Sequence, residues 1–324
     1  PASSTAILTH VLKECMWREP ARLACALGPA TSVVALHSAM KPDAGVGTRE
    51  TVHAALESKS KPSQESRRVS NRRARRQGLR HHHYRSCLSG ADHVSKCEDV
   101  KHMLFIIHGL NGDPVTFLKA EEVISAHFGN SNLHIHRCTS NMPSQEKTHD
   151  GICAGGERIV EEIRSVVDAQ KESGSSPCFI SFWGHSLGGL YVRYALADLA
   201  DQQGATICGL VPRLFLTTAC PHLGVAGTLP KEILDAAQSI GLDTQTGVDL
   251  FLEDAHRIVL KLACDSKYKE PLRWFQYRAL VANASNDWLV DVCTAALLPN
   301  RPSWLNDVEY AGEPFSIVHD TKGW

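Results

Sequence analysis

One serine, set between glycines where an apolar strand meets an amphipathic helix, constrains this chain more than any other feature. The stretch reads Pro177-Cys-Phe-Ile-Ser-Phe-Trp-Gly-His-Ser-Leu-Gly-Gly-Leu190. Residues 178–183 form a short apolar run without polar alternation, bounded by Pro177 and Gly184, as in a strand buried on both faces. Residues 187–199 carry apolar side chains at helical spacing, with Arg193 and Asp198 on the other face. Between them lies Gly184-x-Ser186-x-Gly188, a turn so tight that small neighbours are required. The turn exposes the Ser186 hydroxyl at the sheet edge. A helix beginning directly behind it aims free N–H groups at any negative charge forming there. The strand before it and the helix after it distinguish this pattern from a glycine-rich turn holding an idle serine.

A second stretch, Lys101-His-Met-Leu-Phe-Ile-Ile-His-Gly-Leu-Asn-Gly112, pairs another buried strand (103–107) with a glycine turn. Its glycines let the backbone reverse and point an N–H inward. An oxyanion hole built around such an elbow takes one N–H from the residue after the serine, here Leu187, and one from this early loop, where Leu110 is the candidate. His108 is expected to be a structural hydrogen-bonding residue. Asp113-Pro114 opens a helix running to about residue 128, residues 132–138 read as a strand, and a further helix reaches Lys171. Residues 211–218 and 275–283 are the next strands. This succession of strands and helices predicts a mostly parallel sheet covered on both faces. Ligands then bind at the carboxyl ends of the strands, where Leu110 and Ser186 both fall.

Asp287, just past the last of these strands, is placed to orient a histidine and stabilise its imidazolium, with Asp291 as the fallback. His222, in Cys220-Pro221-His222-Leu223-Gly224, either shapes a substrate pocket or caps a turn; chain order makes it a poor base. Residues 225–274 form an insertion with two amphipathic patterns, 231–240 and 249–263. The apolar stripe Leu250, Phe251, Ile258, Val259, Leu262 is either core packing or a lid over an acyl chain.

The 324 residues suffice for one large domain and an extension. Residues 1–97 lack clean periodicity and are expected to be a largely disordered extension; 98–324 form the domain. The tract from Lys59 to Arg85 holds ten basic residues against Glu65, about +9, which leaves about −10 elsewhere for a net −1. It reads as a solvated linker, as a surface for anionic lipid headgroups or nucleic acid phosphates, or as a targeting address; of the two phosphate-bearing partners, a membrane surface is preferred over nucleic acid. Its three consecutive histidines lack cysteine or carboxylate partners at metal-ligand spacing. Eleven scattered cysteines without a C-x-x-C pair suggest reduced thiols in a cytoplasmic or peripheral membrane protein. No run of 18 strongly apolar residues occurs. The chain opens on Pro1 rather than methionine, so a targeting signal ahead of it stays open.

Taken together, several stretches resemble the serine esterase, lipase-like branch of the α/β-hydrolases. They are His108-Gly-Leu-Asn-Gly112, Thr148-His-Asp-Gly151 with Gly156-Glu-Arg158, Gly184-His-Ser-Leu-Gly-Gly189, Pro221-His-Leu-Gly224, Thr246-Gly-Val-Asp-Leu-Phe-Leu-Glu-Asp254 and Asn286-Asp287. The resemblance covers roughly residues 100–320. It implies an α/β-hydrolase fold with a helical insertion, hydrolysis of lipid-like carboxylic esters, Ser186 as nucleophile, Asp287 as acid, and neither cofactor nor metal. The base is the point of departure. His319, after the apolar run 315–318, is the only histidine following Asp287. The family pattern places the base in a segment beyond this stretch, so it is either His319 or lies past residue 324. A catalytically silent fold that binds lipid or a partner is the competing expectation.

Overall fold

A computed structural model of the chain describes residues 31–38, 101–128, 132–226, 242–285, 287, 289–298 and 315–322. The basic tract from Lys59 to Arg85 and the amphipathic pattern 231–240 lie outside them. The strands are β1 (Thr31–Ser38), β2 (Lys101–Ile107), β3 (Leu133–Arg137), β4 (Pro177–His185), β5 (Ala200–Asp201), β6 (Thr206–Ile207), β7 (Val211–Thr218), β8 (Tyr277–Ser285) and β9 (Phe315–Lys322). A 3₁₀ turn (Pro114–Phe117) precedes α1 (Leu118–Phe128). The other helices are α2 (Ser144–Lys147), α3 (Ile152–Glu172), α4 (Leu187–Leu199), α5 (Gln245–Leu250), α6 (Ile258–Cys264), α7 (Ser266–Trp274) and α8 (Val292–Ala296).

Seven of the described strands form one sheet in the order β3-β2-β4-β7-β8-β1-β9, and β5 with β6 makes a small separate ribbon. Every neighbouring pair in the large sheet is parallel except β1 with β9. The chain leaves β2 towards β3 on one side, then returns across β2 to β4 and continues towards β7. The connections therefore diverge between β2 and β4, the kind of switch point where open parallel sheets leave a crevice. Both glycine turns sit there.

The sheet is buried on both faces, which is why its central strands read as unbroken apolar runs. Met103, Phe105 and Ile107 pack with Ile180, Phe182, α3 and α4 on one face. Leu104, Ile106, Trp183, Leu214 and Leu216 pack with Phe117 and Ile124 on the other. Two glycines let α3 and α4 close together. A Cβ at Gly155 would lie 2.2 Å from the Tyr191 ring, and one at Gly156 2.4 Å from the Tyr194 ring.

Three departures from the sequence reading have physical causes. β1 comes from the stretch expected to lie outside the domain, yet it pairs with β8 in the sheet. Its segment, Thr-Ser-Val-Val-Ala-Leu-His-Ser, is uncharged and rich in β-branched residues, which suits a strand paired on both edges. The amphipathic pattern 249–263 is not one helix. It divides at a turn where Leu252 (φ 64°) and Arg257 (φ 48°) are left-handed and the Asp254 carboxylate accepts from Ile258 N at 2.8 Å, starting α6 anew. A further helix, α7, carries Pro271 within it, which masked it in the sequence. Leu250, Ile258, Val259 and Leu262 are buried in the main core, so the apolar stripe is packing.

Candidate active site

β4 delivers its last residue, His185, to the sheet edge, and α4 begins at Leu187. Ser186 between them has φ 52° and ψ −128°, a region that L-residues with a Cβ adopt only under strain. Neighbouring atoms hold it there. Ser186 N donates to Thr218 O at 2.8 Å, and Ser186 O accepts from Gly189 N at 3.0 Å. The flanking glycines have no room for a side chain. A Cβ at Gly184 would stand 2.4 Å from Gly189 Cα, and one at Gly188 2.3 Å from Ile107 O.

The turn after β2 lies directly alongside. A Cβ at Gly109 would meet Ser186 Cβ at 2.7 Å and Leu187 N at 3.1 Å. Gly112 N closes this turn on Gly109 O at 3.0 Å, and Asn111 is left-handed (φ 52°). Leu110, half-buried, and Leu187, the first residue of α4, thus come from adjacent turns at one point of the sheet edge. The first helical N–H groups have no acceptor within the helix.

Thr148 ties down the Asn111 turn. Its Oγ1 accepts from Asn111 N at 3.0 Å, and His149 Nε2 is 2.7 Å from Asn111 Oδ1. Thr246 Oγ1 donates to Thr148 O at 2.7 Å. Sequence reasoning gave Thr148 no role in the site. The motif Thr148-His-Asp-Gly151 was visible, but its contact with residue 111 spans 37 positions and has no local signature.

Asp287 follows β8 at the same edge. Its Oδ1 accepts from Val290 N at 2.9 Å and Leu289 N at 3.3 Å; its Oδ2 accepts from Asn283 Nδ2 at 2.8 Å. The fallback, Asp291, instead accepts from Cys293 N at the start of α8. Asp287 is near enough to the elbow to act on His185, the residue before the serine. Desolvation lowers the His185 pKa although the residue is exposed to solvent overall, and the Asp287 charge offsets part of that shift. His185 Nδ1 is 2.9 Å from Thr218 Oγ1.

The other histidines occupy different settings. His108 is 2% exposed, its Nδ1 donates to Gly109 O at 3.0 Å, and burial lowers its pKa. That is the structural role expected for it. His222, expected to shape a substrate pocket or cap a turn, is enclosed by its neighbours. It is 2% exposed, with Nε2 2.9 Å from Thr217 Oγ1 and Nδ1 3.2 Å from Arg193 Nη1. Burial, then the Arg193 charge, holds its pKa well below the usual imidazole value. His319 lies in β9, opposite Ala35 of β1, which in turn pairs with Ala282 inside β8. β9 is four positions from β4 across the sheet. At ~4.8 Å per strand that is roughly 19 Å between backbones. The structure brings Leu110, Ser186, Leu187 and Asp287 to one edge, and does not bring His319 to them.

Next to this edge, His136 Nε2, Cys138 Sγ and a Glu162 oxygen lie within 4.8 Å of one another, the one such triple among the described residues. The donor types suit zinc, but the carboxylate is already engaged. It accepts from His136 Nε2 (2.8 Å), Thr139 N (2.8 Å) and Ser140 N (2.9 Å). Burial pushes the Cys138 thiol well above its ordinary pKa. The cluster therefore anchors the loop after β3. Burial would raise the Glu162 pKa, but the hydrogen bonds outweigh it and hold the carboxyl at about 2, from an ordinary 4.5. A depressed carboxyl pKa stabilises the fold above about 4.5, and that contribution is lost as pH falls towards 2. We expect Glu162→Gln to cost about 1–3 kcal/mol at pH 7. Thermal melts of both proteins should converge as pH falls from about 4 towards 2; a gap near pH 2 equal to that at pH 7 would contradict the assignment.

Among the described residues no helix is long and apolar enough to cross a membrane. The parallel sheet, with a strained serine at its switch point and a glycine turn against it, defines the class: an α/β-hydrolase fold. The chain belongs to the family described as "Putative serine esterase (DUF676)", whose model matches residues 97–297, more than half of the chain. It is 30% identical over 207 residues to "Putative lipase C4A8.10" of Schizosaccharomyces pombe, covering 60% of this chain and 26% of that protein. It is 32% identical over 205 residues to "Putative lipase ROG1" of Saccharomyces cerevisiae, covering 61% and 29%. The chain thus spans less than a third of the length of these relatives. Phospholipase PlaB from Legionella pneumophila is a distant structural neighbour, at 15% identity and a TM-score of 0.33 over 56% of this chain and 39% of that one.

Proposed function

We propose that this chain hydrolyses carboxylic esters of lipids through an acyl-enzyme on Ser186. The observation that carries the reading is the Ser186 backbone, at φ 52°, with the Gly109 turn packed against it. In this mechanism a base removes the Oγ proton, and Oγ attacks the ester carbonyl carbon. The oxyanion is held by Leu187 and Leu110 N–H groups, each such donor contributing on the order of 100- to 1000-fold in turnover. Collapse expels the alcohol, and water then releases the acid from the serine. Asp287 is the orienting acid. A fluorophosphonate probe is expected to label Ser186, located by peptide mass spectrometry. A panel of p-nitrophenyl esters is expected to show turnover rising with acyl length. A folded protein that takes up no probe, or takes it up at another residue, would remove the proposal.

One observation favours a second reading, a silent fold that binds lipid or a partner: His319 stands four strands from β4. Ester turnover that vanishes in Ser186→Ala excludes this reading. Turnover unchanged in His319→Ala would assign the base elsewhere.

A further inference from the structure

Arg193 stands on the face of α4 that the sequence pattern sets apart from the apolar one, yet it is only 6% exposed. Its hydrogen bonds go to a single residue. Nη1 donates to His222 O at 3.1 Å and to His222 Nδ1 at 3.2 Å, and Nε is buried without a partner. No carboxylate among the described residues pairs with it. A guanidinium keeps its proton in a protein, and a buried charge is costly unless an opposite charge answers it.

The groups around it are neutral. A guanidinium only donates, so His222 Nδ1 accepts, which places the ring proton on Nε2, 2.9 Å from Thr217 Oγ1. Burial keeps that imidazole uncharged and pushes the Cys220 thiol, 3.6 Å from His222 Nδ1, up to about 12. These partners lie beneath the first turn of α4. A Cβ at Gly189 would meet Cys220 Sγ at 2.5 Å and Thr217 Cγ2 at 3.0 Å, and Gly189 N donates to Ser186 O. Arg193 follows Ser186 by two helical turns, about 10 Å along the axis, and helical side chains lean back towards the N-terminus.

We infer that the buried charge of Arg193 stabilises the oxyanion that forms on the Ser186 adduct, acting through the protein interior without touching the substrate. The oxyanion is the counter-charge that the resting protein does not supply to this guanidinium. A unit charge about 10 Å away, in a medium of effective dielectric ~20, is worth roughly tenfold in rate. It adds to the unpaired N–H groups at the start of α4, which face the same point. The ground-state ester carries no charge, so the effect falls on kcat and leaves KM alone. The inference rests on the acyl-enzyme reading of Ser186.

Three variants of the full chain test this. Arg193→Gln keeps an N–H for His222 O and removes the charge, Arg193→Met removes both, and Arg193→Lys keeps the charge. On a p-nitrophenyl ester both neutral variants are expected to lose about tenfold in kcat with KM within about twofold, and the lysine variant to stay nearer to wild type. An alkylboronic acid of matched chain length reads the charge directly. Its boron takes up Ser186 Oγ, the hydroxyl proton passes to the base, and the bound species is a tetrahedral anion. Its inhibition constant should rise by the same factor, about tenfold, in the neutral variants. An unanswered buried charge disfavours folding, so their melting temperatures should hold or rise. Unchanged kcat and boronate affinity in the neutral variants, or a lysine variant no better than the glutamine one, would overturn the inference. Melting temperatures roughly 10 °C lower in both neutral variants would do so too, making the guanidinium a packing group. Wild-type protein that takes up no fluorophosphonate and hydrolyses no ester would remove the hydrolase reading and this inference with it; labelled wild type beside unaltered neutral variants would remove this inference alone.

Discussion

Replacing Ser186 by glycine is expected to stabilise the protein by about 1 kcal/mol while lowering ester turnover by at least about 10⁴-fold. The two effects have one cause. At φ 52° and ψ −128° a Cβ is strained, and glycine is not. Strain of this kind costs on the order of 1–3 kcal/mol, from which the greater unfolded-state entropy of glycine takes back about 0.5–1 kcal/mol. Removal of Oγ eliminates the nucleophile. Urea unfolding midpoints, measured beside p-nitrophenyl ester hydrolysis, read both quantities in one preparation. Ser186→Ala separates them, since it loses the hydroxyl and keeps the strain. A glycine variant less stable than the alanine variant would mean that the elbow is not strained as described. Turnover within tenfold of wild type in either would dismiss Ser186 as nucleophile.

The second large effect belongs to Gly188, two residues on. A Cβ there would lie 2.3 Å from Ile107 O, 2.6 Å from His108 O and 2.8 Å from Ile107 C, all backbone atoms. A flexible side chain could swing aside, but these atoms belong to β2 and the turn leaving it. Either α4 moves off the sheet or the turn beside Ser186 is displaced. We expect Gly188→Ala to lose about 3–5 kcal/mol of stability, at the upper end for a single substitution. Gly174→Ala supplies the control. Gly174 has φ 82° but no atom within 4 Å of an added Cβ, so it should lose only about 1–2 kcal/mol, the cost of the left-handed backbone. Denaturant unfolding of the pair decides the matter. Equal losses at the two positions would show that the close approach of α4 to β2 contributes nothing.

Much of the domain could be read from single stretches because the information there is local. The buried strands announced themselves as apolar runs, since a strand covered on both faces has no polar side to alternate with. The run Val211–Thr218 matches its strand end to end, as Leu187–Leu199 matches its helix. The position of Asp287 was legible because it stands just past a strand, and a residue there falls at the sheet edge that carries Ser186. His222 was harder, because a histidine in a turn looks the same whether it faces solvent or closes on Arg193. The split of 249–263 into two helices depends on where Asp254 caps, and periodicity does not register it.

By itself the chain of residues determined the elbow: steric exclusion at Gly184, Ser186 and Gly188 acts over a few bonds and allows only one kind of turn. It likewise determined the sheet's central strands and the glycine turn at 109–112. Tertiary structure alone decided that β1 enters the sheet beside β8, that β9 carries His319 to the far edge, and that His222 closes on Arg193 and Thr217. These outcomes are pairings between segments far apart in the chain. Their free energy comes from burial and hydrogen bonds that exist only once the sheet has assembled, so no single stretch encodes them.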